Sequence, residues 1–233
     1  MSICKYGARS RRQISRLPRL MSLFSEGVRR YPLFLLVLSF LSACTITGSP
    51  TSTPPRPDFA DASSDTGVRQ TDDSGRRLPF ITQFPRRWNS GNDGTSYEPC
   101  TAATPQILGD TGLQPESARD AAAADFQTAR GCIWSFTSFK LASLSQVVGD
   151  FQGLDAYKQK HANITEWRAN TEINNRPVAV GSTKDRSTCE TYVESGIAIV
   201  STSTAFTVDP PPINEICDKA IAFTRATIAQ MPE

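Results

Sequence analysis

A short apolar run near the amino terminus divides this chain into a leader and a part that can fold. Residues 31–43 read YPLFLLVLSFLSA and follow the pair Arg29-Arg30. These 13 residues fall short of the roughly 20 that a membrane-spanning helix needs. A basic segment, a short apolar core and a small-residue exit form the layout of an export signal. We therefore expect the folded domain only downstream of this run.

The run ends in Leu41-Ser42-Ala43-Cys44, which resembles a bacterial lipobox. This motif predicts a lipoprotein signal peptide over residues 1–43, cleavage before Cys44 and lipid attachment to that cysteine. The expected location is the extracytoplasmic face of the cell membrane, with the lipid on Cys44 as the membrane contact. Met21 begins a more compact version of the leader, and we expect it to be the true start.

The basic leader makes the net charge of the whole sequence differ from the net charge expected for the mature chain. It holds eight of the 25 Lys and Arg residues and one of the 23 Asp and Glu residues, so 17 basic and 22 acidic residues remain from Cys44 onward. The net charge changes from +2 to about −5. A basic surface for nucleic acid is therefore not expected.

The segment that follows Cys44 has the composition of a tether. Residues 44–77 are rich in Pro, Ser, Thr, Asp and Gly and poor in large apolar side chains. Such a segment cannot bury enough surface to offset its ordering entropy, so we expect disorder there. Residues 78–96 are predicted to be an extended arm, and residues 97–233 a globular domain.

Two interpretations of the arm remain open. Its aromatic residues, including Trp88, can pack on the domain surface as part of the core. Alternatively, Arg86, Arg87 and Trp88 can form a contact surface, because Trp and Arg are over-represented in binding hot spots. The same arginines can attract anionic lipid headgroups or an acidic envelope polymer.

Four cysteines remain after Cys4 and Cys44 are assigned to the leader and its cleavage site. An even number of cysteines in an exported chain indicates two disulfides. Three pairings are possible, and we favour Cys100–Cys132 and Cys189–Cys217 because each joins near neighbours that flank one structural unit. A metal site is the weaker alternative, since CxxC spacing is lacking and the chain has one histidine.

Apolar periodicity predicts the elements of the domain. Strands are expected at residues 131–136, 139–148, 172–180, 188–193 and 196–204, and short helices at 101–113 and 154–162. A C-terminal helix is expected after the prolines at 210–212, with an apolar stripe along one side. These elements predict an α+β fold: one two-layer sandwich domain with a mainly antiparallel sheet, a C-terminal helix and two disulfides.

Four short strings carry a resemblance to a known family. They are Tyr97-Glu98-Pro99-Cys100-Thr101, then Gly131-Cys132-Ile133-Trp134, then Cys189, and finally Cys217-Asp218-Lys219-Ala220. In this order they resemble a family of actinobacterial lipoproteins of unknown function that includes mycobacterial LprB and LprC. The resemblance implies an envelope location and a disulfide-stabilised domain, and it implies no reaction.

The sequence offers no catalytic motif on which to build a mechanism. GxSxG, HExxH, P-loop and GxGxxG patterns are all missing from it. His161 follows two lysines on a predicted solvated helix end, where a surface role is expected. Trp134, beside Cys132, is expected to pack in the core.

We therefore expect a lipid-anchored envelope protein that is not an enzyme and needs no cofactor or metal. It would bind an envelope protein, a lipid or a cell-wall ligand, and its oligomeric state is left open. The alternative is a cell-envelope hydrolase whose site assembles from dispersed acids.

Overall fold

The computed structural model describes residues 67–233, and an eight-stranded sheet forms its centre. The strand order is β1-β2-β3-β8-β7-β6-β4, and β5 pairs with β6 outside this path. All neighbouring strands are antiparallel. The strands are β1 (Arg119–Asp120), β2 (Ala129–Ser135), β3 (Ala142–Asp150), β4 (Thr165–Trp167), β5 (Thr171–Ile173), β6 (Arg176–Thr183), β7 (Thr188–Ser195) and β8 (Ala198–Phe206).

Alternating side chains give the sheet two different faces. On β3, Leu144, Gln146 and Val148 are buried, whereas Ser143 and Ser145 on the opposite face are half-buried. Alternation of this kind is what an antiparallel strand with one well-covered face produces. β7 and β8 continue the same two faces and are joined by a tight turn that contains Gly196 at φ +61°.

A C-terminal helix covers the buried face of the sheet. The helices are α1 (Pro99–Ala102), α2 (Pro105–Asp110), α3 (Leu154–Lys160) and α4 (Ile213–Thr227), and 3-10 turns lie at Pro115–Ser117 and Ile228–Gln230. On α4, Ile216, Ala220 and Phe223 are buried. This spacing of three or four residues places them on one side of the helix, which packs against the sheet. The mainly antiparallel sheet and the C-terminal helix predicted from the sequence are confirmed.

Both pairs of domain cysteines lie at disulfide distance. Cys100 at the start of α1 is bonded to Cys132 on β2, with their Cα atoms 5.2 Å apart. Cys189 on β7 is bonded to Cys217 on α4, with their Cα atoms 5.0 Å apart. These are the two pairs favoured above.

The structure differs from the predicted elements on the amino-terminal side of the domain. The helix expected at 101–113 is two shorter helices, because Pro105 begins a new helix and Thr104 caps it. The strand expected at 172–180 is a hairpin of β5 and β6 that turns at Asn174 and Asn175, both with positive φ. β4 was not predicted.

The amino-terminal boundary of the domain also differs from the expectation. Residues 67–77, placed in the disordered tether, contain a tight turn closed by a bridge between Thr71 and Arg77. Asp72 holds this turn because its carboxylate accepts hydrogen bonds from the backbone N–H groups of Ser74 and Arg76. It also accepts one from the Thr101 hydroxyl on α1, which attaches the turn to the domain. Composition alone missed these bonds.

The remaining predictions for the amino terminus lie outside the described residues. They are the signal peptide over 1–43, the start at Met21, the lipid on Cys44 and the tether over 44–66. Within residues 67–233, no helix combines the length and the apolar character that a membrane crossing requires.

Candidate functional site

An open apolar cleft of about 250 Å³ lies beside the Cys100–Cys132 disulfide. We call it the Trp134 cleft. Its apolar walls come from the arm, α1, α2, the 3-10 turn after α2 and strand β2, and they include Pro79, Cys100, Pro105, Leu108, Pro115 and Trp134. Arg76 and Arg77 contribute to its lining as well, and the Arg76 guanidinium pairs with the Asp72 carboxylate at 2.8 Å.

Trp134 occupies the inner side of this cleft. It is 1 % exposed and packs against Phe223 of α4, with ring centroids 5.4 Å apart. Its indole N–H is buried and has no hydrogen-bond partner among the residues that the structure describes. Leaving a buried donor unpaired costs about 1–3 kcal/mol. A donor in this state is therefore a candidate for a ligand or a water molecule to satisfy.

The disulfide positions the helix that forms one side of the cleft. α1 is only four residues long and is held at its start, where Glu98 accepts a hydrogen bond from the Cys100 N–H. The bond from Cys100 to Cys132 then attaches α1 to β2. A helix this short has little stability of its own, so these covalent and capping contacts fix its place.

A buried network of charged side chains lies next to the disulfide. Arg87, Glu98 and Arg130 are each 1 % exposed. Arg87 binds the two carboxylate oxygens of Glu98 at 2.8 and 3.1 Å, and Arg130 binds one of them at 2.9 Å. Asp120 accepts from the Nε of Arg87 at 3.1 Å, which makes two positive and two negative charges in all. We call this set the Arg87 network.

Backbone oxygens satisfy the rest of the network. Arg130 donates to the carbonyls of Asn92, Thr95 and Tyr97 at 2.8–3.0 Å. Arg87 donates to the carbonyl of Gly131 at 3.1 Å and to Cys100 Sγ at 3.3 Å. Because burial of a charge is costly unless it is paired and hydrogen-bonded, this arrangement is a structural clamp between the arm and β2.

A second cleft, of about 350 Å³, lies on the other face of the sheet. We call it the His161 trough. Small residues of β2, β3 and β8 form its floor, among them Ala129, Gly149 and Ser201. Aromatic rings form one wall: Tyr157 packs on His161 with centroids 4.1 Å apart and on Phe151 with centroids 5.2 Å apart.

Hydrogen bonds and burial tune the polar groups of the trough. His161 Nδ1 lies 2.9 Å from the carbonyl oxygen of Tyr157, so the ring is held by a backbone group rather than by a carboxylate. Burial raises the pKa of the Asp150 carboxyl, the Gly94 N–H that donates to it works in the opposite direction, and the nearby Asp93 carboxyl adds to the increase. Burial also raises the pKa of the Tyr157 hydroxyl.

Comparison with known protein families gives one match. The model of a family described as "Protein of unknown function (DUF3558)" matches residues 39–230. The chain belongs to this family. The matched range contains both clefts, the Arg87 network and all four disulfide cysteines. No curated protein and no solved structure matches the chain.

The contact surface suggested for Arg86, Arg87 and Trp88 does not form in this member of the DUF3558 family. Arg87 points inward into its network, whereas the Arg86 side chain is 66 % exposed and pairs with Asp125 at 3.1 Å. Trp88 is half-buried and packs between the guanidinium groups of Arg69 and Arg87, with centroid distances of 4.2 and 4.6 Å. Arg86 is therefore separated from the other two side chains, and the buried counter-charges explain why Arg87 turns inward.

The sequence-based predictions missed the Arg87 network and the floor of the His161 trough. Glu98 and Arg130 were not recognised as members of the network, because Glu98 lies 11 residues from Arg87 and 32 from Arg130 and no local pattern links them. The trough was missed because its floor consists of small residues without a motif. Trp134, in contrast, is in the core as expected, and its neighbour Cys132 was the available signal. In the part of the chain that the structure describes, no three His, Cys, Asp or Glu side chains are grouped for a metal ion.

Proposed function

We propose that this protein is an exported, lipid-anchored binding module of the cell envelope, and that the Trp134 cleft is its ligand site. The observation that carries the ligand site is the apolar cleft lined by Trp134, whose buried indole N–H has no hydrogen-bond partner among the described residues. The proposal treats the protein as non-catalytic and as one of the actinobacterial lipoproteins that its cysteine strings resemble.

The size and lining of the cleft define the kind of ligand. About 250 Å³ is below the roughly 300–1,000 Å³ of most ligand pockets, so a single apolar group fits better than a two-chain lipid. A ligand with an oxygen acceptor would pair the Trp134 N–H, and a negative charge would suit Arg77. Since the indole nitrogen is buried, the acceptor reaches it through a small movement of the cleft wall.

The ligand site is tested with octanoate, which combines an apolar chain with a carboxylate. The chain contains three tryptophans, and a Trp134→Phe variant assigns the Trp134 indole N–H resonance in a ¹⁵N–¹H NMR spectrum. We expect octanoate to move this resonance saturably. The Trp167 indole is the internal control, because its N–H already donates to the Lys158 carbonyl at 3.1 Å. Equal shifts at both indoles, or none at Trp134, would contradict the proposal.

The lipid anchor is tested at Cys44. Support for it comes from the lipobox at Leu41-Ser42-Ala43-Cys44. We expect the exported wild-type protein to sediment with membranes and an exported Cys44→Ala variant to stay in the supernatant. Ser49→Ala, in the expected tether, is the matched control and should sediment like the wild type. A Cys44→Ala variant that sediments unchanged rules the anchor out.

The hydrolase alternative has one observation in its favour. Asp150 lines the His161 trough, where burial raises the pKa of its carboxyl, and carboxyl groups with a perturbed pKa in a cleft are candidate functional groups. Hydrolysis of chromogenic esters or glycosides that is lost in Asp150→Asn would establish it. Turnover that Asp150→Asn leaves unchanged, or no turnover at all, would remove it.

A further inference from the structure

The His161 trough is a second candidate ligand site, in addition to the Trp134 cleft. Its volume of about 350 Å³ lies within the usual range for ligand pockets. It also lies on the sheet face opposite α4, so the two clefts are separate. We propose that the trough binds a neutral sugar ring of a glycan chain. This inference depends on neither the Cys44 anchor nor the Trp134 cleft.

The balance of charges around the trough favours a neutral ligand. Asp150 and Lys160 contribute one acid and one base, while His161 and Tyr157 are the remaining ionisable groups of its lining. Their charges nearly cancel at neutral pH. The negative charge of Asp150 would repel a phosphate or a polyanion, and the positive charge of Lys160 would repel a polycation. A neutral ligand with both hydrogen-bond donors and acceptors avoids both conflicts.

The aromatic wall of the trough can contact the apolar face of a sugar ring. A sugar ring has polar edges and an apolar face of C–H groups, and aromatic rings provide a matching apolar surface. Phe151, Tyr157 and His161 pack against each other along one side of the trough. Tyr157 also packs against Tyr192, with ring centroids 4.9 Å apart. A wall that is already packed loses little conformational entropy when a ligand binds.

The floor leaves room for a ring and offers hydroxyl groups. Ala129 and Gly149 lie side by side on β2 and β3, and their small size keeps the centre of the trough open. Ser201 on β8 and Thr128 before β2 can exchange hydrogen bonds with sugar hydroxyls. The trough is open to solvent, as a site for a ring within a longer chain must be.

The single histidine of the chain makes this proposal directly testable. The imidazole Cε1–H gives one proton NMR resonance from the wall of the trough, provided that the exported protein is purified with a tag that lacks histidine. At constant pH, we expect maltose or cellobiose to move this resonance saturably. Glucuronate and glucosamine, which carry a negative and a positive charge, should move it less. If neither disaccharide moves it, or if glucuronate moves it as far, the proposal is wrong.

A pair of variants on one strand tests the location. Ser201→Tyr places a large ring in the floor, and we expect it to abolish the shift with the disaccharides. Ser203→Tyr is the matched control, because Ser203 lies two residues further along the same face of β8 and outside the trough. Thr128→Tyr, at an exposed loop position, provides a second block if Ser201→Tyr does not fold. A full response in a folded blocking variant would overturn the proposal.

Octyl glucoside distinguishes a glycan from the headgroup of a glycolipid. It carries one sugar ring on an alkyl chain, whereas cellobiose carries a second ring. A larger affinity for cellobiose supports a glycan chain as the ligand. A larger affinity for octyl glucoside that Ser201→Tyr also abolishes would contradict it and assign the trough to a glycolipid.

Discussion

Arg86 and Arg87 show how far the environments of two neighbouring residues can diverge. Arg86 lies at the surface with Asp125, whereas Arg87 shares Glu98 with Arg130 in the interior. An exposed ion pair contributes about 0–1 kcal/mol, because water screens it and its side chains lose freedom. A buried pair that loses one partner leaves an uncompensated charge in a medium that solvates it poorly.

The first prediction compares two variants, each with one of these arginines replaced by methionine. We expect Arg87→Met to lower the free energy of unfolding by about 3–5 kcal/mol, because Glu98 and Asp120 lose a buried partner. Arg86→Met should change it by less than about 1 kcal/mol. Urea unfolding of both variants measures the difference. Similar losses in the two variants would show that the Arg87 network is not the clamp described above.

The partners of the cysteines could be predicted from the sequence, whereas the partners of Arg87 could not. The disulfide pairs could be predicted because the four cysteines of the domain allow only three pairings. Arg87 could not be assigned, because any of the 22 acids from residue 44 onward is an equivalent candidate. One of its partners, Asp120, is placed by the register of β1 and β2, where Asp120 faces Cys132. Register of this kind depends on the whole sheet and has no local signal.

At the scale of elements, α4 is attached to the sheet by threonines as well as by apolar contacts. The hydroxyl of Thr224 donates to Thr202 on β8 at 3.1 Å and is hydrogen-bonded to Thr191 on β7. All three residues are at most 1 % exposed. Each hydroxyl therefore depends on its neighbours for a partner, since water does not reach it.

The second prediction concerns a variant in which one hydroxyl of this contact is removed. Thr224→Val keeps the shape of the side chain but leaves the hydroxyls of Thr191 and Thr202 without this partner. We expect a loss of about 1–3 kcal/mol in the free energy of unfolding. Thr224→Ser retains the hydroxyl and is the control for the hydrogen bonds. A Val variant as stable as the wild type, measured by denaturant unfolding, would mean that the hydroxyls contribute nothing.

The length of an element decided whether it could be predicted. α4 and the hairpin of β7 and β8 are long enough for their apolar periodicity to stand out. β4 and β5 have three residues each, and β1 has two. Such short strands exist because β6 or β2 offers them a partner. The positions of these short strands therefore depend more on their pairing partners in the sheet than on their own sequences.

At the scale of the whole molecule, the two disulfides connect different parts of the structure to the sheet. One attaches α1 to β2, and the other attaches α4 to β7. Their sequence separations of 32 and 28 residues are similar. The loop-entropy model then assigns about 3.5 kcal/mol to each bridge.

The third prediction concerns reduction of both bridges. Together they account for about 7 kcal/mol, which is comparable with the roughly 5–15 kcal/mol that stabilises a typical domain. We expect the reduced protein to unfold at a much lower urea concentration than the oxidised protein. Two double variants, Cys100→Ala/Cys132→Ala and Cys189→Ala/Cys217→Ala, should each show about half of the effect. An unchanged midpoint after complete reduction would contradict the prediction.

The pairing of β3 with β8 has a consequence for how the molecule is made. These two strands are neighbours near the centre of the sheet, yet residues 151–197 separate them along the chain. Contacts between residues this distant form slowly during folding. Until β8 is synthesised, β3 presents an unpaired edge to which other chains can add. A chain interrupted before residue 198 is therefore expected to aggregate instead of forming a smaller domain.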